Sequence, residues 1–155
     1  MNDVDNLQKI FSDPVALQYY PRTFDVDESR AWIQRILNNY DQHNAGWWAC
    51  HLKSTGEFVG QCGLFFQPDI DGRDEIEVGY LFVRQFWHQG FATEAALGTM
   101  QYAREKLGYT RLVSLIRPEN KPSIRVAERN GLVPEKEIQR KGYKHIVYVS
   151  ECNTR

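Results

Sequence analysis

The stretch Glu77-Val78-Gly79-Tyr80-Leu81-Phe82-Val83-Arg84-Gln85-Phe86-Trp87-His88-Gln89-Gly90-Phe91-Ala92-Thr93-Glu94-Ala95 decides the fold. Its first part alternates. Ile76, Val78, Tyr80 and Phe82 lie on one face of a strand over Glu75–Val83, and Glu77, Gly79 and Leu81 lie on the other. Beyond the loop the period becomes helical: Ala92, Ala95, Ala96, Met100, Ala103 and Leu107 form a stripe between Gly90 and Leu107, closed by Gly108. A strand therefore feeds a tight loop whose small residues open a helix. The first turn of such a helix has unpaired N–H groups and the positive end of the dipole, a place suited to phosphate or pyrophosphate. Gly90 equally suits a tight turn with no ligand. No Gly-Lys-Ser/Thr follows, so this is not a nucleotide P-loop, and the three glycines of the dinucleotide fingerprint are missing.

Upstream, Asp5–Phe11 has a short helical pattern ended by Ser12-Asp13-Pro14, and Tyr19-Tyr20-Pro21 is an aromatic loop. Asp25 and Glu28 form a capping box for a helix whose Trp32, Ile33, Ile36, Leu37 and Tyr40 share a face. Strands are expected over Trp47–Leu52 and Phe58–Phe66, with a loop at 67–73. Downstream come a strand over Arg111–Ile116 and a helix over Asn120–Asn130 ended by Gly131. Two further strands, Leu132–Ile138 and Tyr143–Cys152, are joined by Gln139-Arg140-Lys141-Gly142. Hairpin-linked strands followed by a strand–helix–strand crossover predict an α+β fold with a mixed, mostly antiparallel central sheet flanked by helices.

Composition narrows the function. The 155 residues are expected to form a single domain, 1–155, with 42% hydrophobic and 13% aromatic residues, too much apolar mass to leave solvated. Nineteen basic against twenty acidic residues, net charge -1, give no chain-wide argument for nucleic acid or membrane surfaces. The acidic start MNDVDNLQKIF is not a signal peptide, and Cys50, Cys62 and Cys152 read as reduced thiols, so a cytoplasmic location is expected. His43, His51, His88 and His145 lack metal-ligand spacing, and no metal is expected.

A second stretch, Arg117-Pro118-Glu119-Asn120-Lys121-Pro122-Ser123-Ile124-Arg125-Val126-Ala127-Glu128-Arg129-Asn130-Gly131-Leu132, follows a strand and ends at a glycine. With Glu77-Val78-Gly79-Tyr80 and Trp87–Ala95, it resembles the GNAT superfamily of acyl-CoA-dependent N-acyltransferases, in particular the RimJ/RimL-type ribosomal-protein N-terminal acetyltransferases. The likeness covers nearly the whole chain. It implies acetyl-CoA as co-substrate, with pyrophosphate on the amides of His88, Gln89, Gly90, Phe91, Ala92 and Thr93. It also implies a pantetheine arm beside Phe82, Val83 and Arg84, and Asn120 and Ser123 near the thiol. Lys121 and Arg125 become candidates for the 3′-phosphate. The chain departs from the family pattern at His88 (usually Gly), Arg84 (often Pro) and Leu132 (Phe). The strand that opens the family sheet is also expected to be missing.

The activity implied is transfer of an acetyl group from acetyl-CoA to a primary amine, a protein N-terminus or a small molecule, by direct attack on the thioester. The resemblance allows a homodimer. An ammonium must first lose its proton. Glu77, on a central strand, is the candidate base; it can instead be a structural carboxylate, and a water chain can take its place. The family's frequent acid is a tyrosine seven residues beyond the Asn, where Ala127 stands, so Ser123 is the candidate donor to the thiolate; it can instead bond the helix's first turn. The basic hairpin Arg140–Lys144 suits an acceptor bearing carboxylates. The alternative class is a non-catalytic acyl-CoA-binding module that keeps the cleft.

Overall fold

A computed structural model describes residues 2–152. Two helices, α1 (Asp3–Phe11) and α2 (Val26–His43), precede three strands, β1 (Trp47–His51), β2 (Phe58–Gln67) and β3 (Glu75–Phe82). A short 3-10 turn at Arg84–Phe86 leads to α3 (Phe91–Glu105), then β4 (Arg111–Ile116), α4 (Lys121–Arg129), β5 (Val133–Arg140) and β6 (Tyr143–Glu151). The capping box at Asp25 and Glu28 is formed in both directions. Asn120 and Asn130 prove to be the caps of α4 rather than its ends, because the Asn120 side chain accepts the Ser123 N–H. Likewise Gly90 is the cap of α3, not its first residue.

The six strands are ordered β1-β2-β3-β4-β6-β5, and every neighbouring pair is antiparallel except β3–β4. The α+β reading with a mixed sheet holds. Among the described residues no strand precedes α1, and β1 forms the sheet's edge. On one face Ile76, Val78 and Tyr80 pack with Ala96, Met100 and Ala103 of α3 and Ile124 and Ala127 of α4. On the other, α1 and the Trp32 and Ile33 side chains of α2 cover Phe58, Leu81 and Val83. The alternation predicted for β3 is thus the division between the two helical layers.

Two features position the site. The parallel pair β3–β4 shares a single bridge, Glu77 with Val113, after which the strands diverge. At the closed end Arg111, only 10% exposed at its side chain, reaches Glu75 of β3 at 2.9 Å, Glu135 of β5 at 2.9 Å and Glu151 of β6 at 2.6 Å. One guanidinium thereby ties four strands where the sheet is shut. The second feature corrects a boundary. The β5–β6 connection is not four residues but Lys141-Gly142, with φ of 52° and 80° and Arg140 paired to Tyr143. Two successive positive φ values are the signature of the tight hairpin turn whose twist matches its strands. Arg140 consequently belongs to β5, with its side chain committed to one sheet face.

Candidate active site

Where β3 and β4 part, a cleft of 330 Å³ opens between β3, the start of α3, the start of α4 and the Tyr19–Tyr20 loop. Strand alternation sets what β3 offers it. The Val78 carbonyl accepts the Ser114 hydroxyl of β4 at 2.8 Å, and the Phe82 carbonyl accepts the Trp87 indole N–H at 2.9 Å. Tyr80, midway between them, turns its backbone N–H and C=O to the same side, where β4 no longer runs alongside. An extended, amide-bearing ligand would find those groups free.

The loop into α3 is built for an anion. His88 and Gly90 take φ of 62° and 82°, and no side chain caps the helix. The first intrahelical bond is that of Glu94 N–H to the Gly90 carbonyl, so the N–H groups of Phe91, Ala92 and Thr93 have no acceptor within the helix. A Cβ on Gly90 would meet no protein atom within 4 Å; the residue is glycine because of its backbone conformation, and the space before it is open. Arg125 and Arg129, one helical turn apart on α4, both line the cleft. A pyrophosphate-bearing ligand fits this donor set.

Of the residues expected here, Phe82, His88, Gly90, Phe91, Ala92, Thr93, Asn120, Ser123 and Arg125 line the cleft. Glu77, on the opposite face of β3, and Val83, Arg84 and Gln89 do not. The Val83 N–H is bonded to Val59, on the far side of β3, and the Arg84 guanidinium pairs with Asp13 at 3.0 Å. Gln89 reaches back to the Gln85 carbonyl at 3.3 Å. Lys121 is exposed and outside the lining.

At the thiol end, Ser123 is half-buried, and no hydrogen bond engages its Oγ among the described residues; its carbonyl accepts the Tyr80 hydroxyl at 2.8 Å. Ala127, where the family's tyrosine would stand, is 2% exposed in the core. Phenols reach the cleft by other routes, from Tyr80 on β3 and from Tyr19 and Tyr20 on the loop. The loop is fixed by Arg117, which donates to the Tyr19 carbonyl at 3.3 Å. Burial of the hydroxyl end, then the Glu77 charge, pushes the Tyr20 phenol up, though the residue as a whole is 38% exposed. The Arg125/Arg129 spacing was visible in the sequence; nothing local to Tyr19-Tyr20 signals that the loop closes the cleft.

Glu77 lies at the fork itself. Burial pushes its carboxyl up from the ordinary value, opposed by the Arg140 charge, the Gln67 side chain, the Leu115 backbone N–H and Lys141. The Gln67 contact is long, 3.4 Å, which leaves the carboxylate able to take a proton. Gly79, one pleat further on the same face, is roofed by the Trp47 ring: a Cβ there would overlap the indole.

The family profile for the acetyltransferase (GNAT) domain matches residues 1–133. The chain belongs to the GNAT acetyltransferase family. An uncharacterized protein of Bacillus subtilis (strain 168), YkkB, is 36% identical over 131 residues, 84% of this chain and 76% of its own. An acetyltransferase from Agrobacterium tumefaciens str. C58 superposes with a TM-score of 0.83 at 27% identity, covering 98% of this chain and 86% of that one. RimL, described as a ribosomal L7/L12 α-N-protein acetyltransferase and solved with coenzyme A, has a TM-score of 0.74 at 18% identity, covering 96% and 88%. This GNAT protein is an acetyl-CoA-dependent N-acetyltransferase, and the uncapped α3 start and the forked sheet are the parts of it that suit that co-substrate.

Proposed function

We propose that this acetyltransferase moves the acetyl group to a primary amine, of a small molecule or a protein N-terminus, by direct attack of the amine nitrogen on the thioester. The observation that carries the reading is the position of Glu77: a carboxylate raised by burial at the point where β3 and β4 separate. Glu77 accepts the ammonium proton, directly or through one water, and the freed nitrogen forms the N–C bond as the C–S bond breaks. The Ser123 Oγ–H, free of internal partners, donates to the departing thiolate and is reprotonated from solvent. Asn120 spends its Oδ1 on the Ser123 N–H and keeps its amide donors for the ligand arm. The amides of Phe91, Ala92 and Thr93, with Arg125 and Arg129, hold the phosphates. The reading takes 1–155 as one domain working in the cytoplasm, places it nearest the RimJ/RimL-type branch by its motifs, and leaves room for a homodimer.

The test is thiol release from acetyl-CoA with and without a panel of amines, beside a CoA titration. Amine-dependent release is expected. CoA binding with no turnover on any amine would identify a binding module instead.

A further inference from the structure

Gln67 joins the fork to a second depression, of 600 Å³, on the Glu77 side of the sheet, lined by Arg35, Asp69, Asp71, Glu137, Arg140 and Lys141 with it. Its acids are mostly spoken for. Asp71 pairs with Lys136 at 2.9 Å, Glu137 with Lys144 at 3.2 Å, and Asp69 accepts the Gly72 N–H at 3.0 Å. Its three other cations are not: among the described residues Arg35, Arg140 and Lys141 have no carboxylate within ion-pair distance.

Two of these cations, Arg140 and Lys141, act on Glu77, and Arg35 stands beside its cross-strand neighbour. The Arg35 guanidinium lies 4.6 Å over the Phe65 ring, and Phe65 is the direct cross-strand partner of Glu77. Arg140 Nη2 donates to Gln67 Oε1 at 2.9 Å, and Gln67 Nε2 donates to Glu77 Oε1 at 3.4 Å. Lys141 follows Arg140 in the tight turn, and burial, then the Arg140 and Arg35 charges, hold its ammonium below the usual range. Arg140 and Lys141 act on one buried carboxylate and Arg35 acts on Lys141, so the three carry more positive charge than that carboxylate neutralises. A further donor faces the same side. The Trp47 Nε1 is buried without a partner, and the carbon bonded to it, Cε2, lies 3.2 Å from where a Cβ would stand on Gly79. Unpaired donors of this kind call for an acceptor group from outside the chain.

Resting on the acetyl-transfer reading above, we propose that the acceptor is a compact anionic amine, its carboxylate or phosphate seated on Arg35, Arg140 and Lys141 while its ammonium meets Glu77. The same charges repel a polycationic acceptor. The chemistry is unchanged: the amine nitrogen takes the acetyl group, and the anion only orients it.

The experiment compares matched amines at low ionic strength: β-alanine and O-phosphoethanolamine against β-alaninamide and ethanolamine, with kanamycin as a polycation. A charge-assisted pair is expected to raise kcat/KM by about 10 to 100-fold for the anionic members, and added KCl should shrink that advantage. The two anionic arms distinguish carboxylate from phosphate. In Arg140→Gln the ratio of anionic to neutral kcat/KM should fall about tenfold. Lys141→Asn, which suits the left-handed backbone at that position, should lower the ratio in the same direction should Arg140→Gln fail to fold. Neutral amines used as well as anionic ones would overturn the inference while leaving acetyl transfer intact. With no amine turned over at all, the transfer reading fails, and β-alanine titrated against the CoA-loaded protein decides the anion site. Binding weakened by Lys141→Asn upholds it, and no binding overturns it.

Discussion

Replacing Glu77 by Gln keeps the side chain's shape and removes its basicity, and the surroundings set how much that should matter. Only a 3.4 Å contact from Gln67 and the Leu115 N–H engage the carboxylate, and burial has raised its pKa toward the working pH. A base closer in pKa to neutrality is a more effective one, so the loss should fall in the upper part of the range for general-base removal, about 1,000 to 10,000-fold in kcat/KM or ~4–5 kcal/mol. The sign for stability is opposite. A carboxyl whose folded pKa is raised favours the fold below its unfolded value near ~4.3 and weighs against it as pH rises through the folded value. Glu77→Gln at pH 7 should therefore melt no lower than the parent. The assay is thiol release between pH 5 and 9 with an alkyl amine and with a weakly basic aromatic amine. The parent's acidic limb should reflect a group titrating above ~4.3, and the variant should lose that limb. The aromatic amine, already unprotonated, should show a much smaller defect. Wild-type kcat/KM with the alkyl amine across this range would refute the assignment, and the base would then be sought among ordered waters.

Gly90→Val should weaken CoA binding about 10 to 100-fold by denying the phosphates one or two amides; Gly56→Val, at φ +75° and equally open, should match its stability cost of ~1–2 kcal/mol without touching CoA affinity. Equal CoA titrations for Gly90→Val and parent would remove the α3 start from the site. Ser123→Ala should lower kcat more than it raises KM for acetyl-CoA, since the bond forms as the thiolate departs; an effect confined to KM makes Ser123 a binding residue. Arg111→Met leaves Glu75, 3% exposed at its side chain, without its main partner, at a cost of ~3–5 kcal/mol measured by denaturant melts; adding Glu75→Gln should recover part of it. Arg111 also holds the Glu135 carboxyl below the usual range, a contribution present above ~4.3 and lost as pH falls through the depressed folded value. Stability of the parent should thus fall more steeply below pH 4 than that of Arg111→Met.

What could be read from the sequence was whatever is written locally. The Asp25–Glu28 box, the alternation of β3 and the change to a helical period after Val83 each depend on neighbours within a few positions, and each stands in the structure. Contributions decided by register or by distant packing could not be read in this way. Whether Val83 faces the cleft depends on which side of β3 its N–H takes, and it takes β2. Local sequence puts Arg140 in a four-residue connection, but two residues at positive φ suffice, and its link to Glu77 through Gln67 exists only once Arg140 is in the strand. The glycine of Glu77-Val78-Gly79-Tyr80 was legible as a motif, but its reason, the Trp47 ring lying over it, appears only once Trp47 pairs with Gly63 and Gly63 with Gly79.

The fork between β3 and β4 has a consequence for how the molecule opens. With a single backbone bridge between β3 and β4, β1-β2-β3 and β4-β6-β5 are two half-sheets held together mainly by side chains: the Ser114–Val78 bond, the Arg111 staple at the shut end, and the Leu115–Glu77, Arg140–Gln67 and Lys136–Asp71 contacts. The two halves share one buried core with α3 and α4, so the place where few backbone rungs join them is the β3–β4 seam, and amide exchange is expected to be least protected there. A ligand lying in the cleft would contact β3 on one side and the start of α4, which follows β4, on the other, and a ligand that binds the folded chain stabilises it across that seam. The cofactor is in that sense a removable strand, seated where β3 lacks a neighbour.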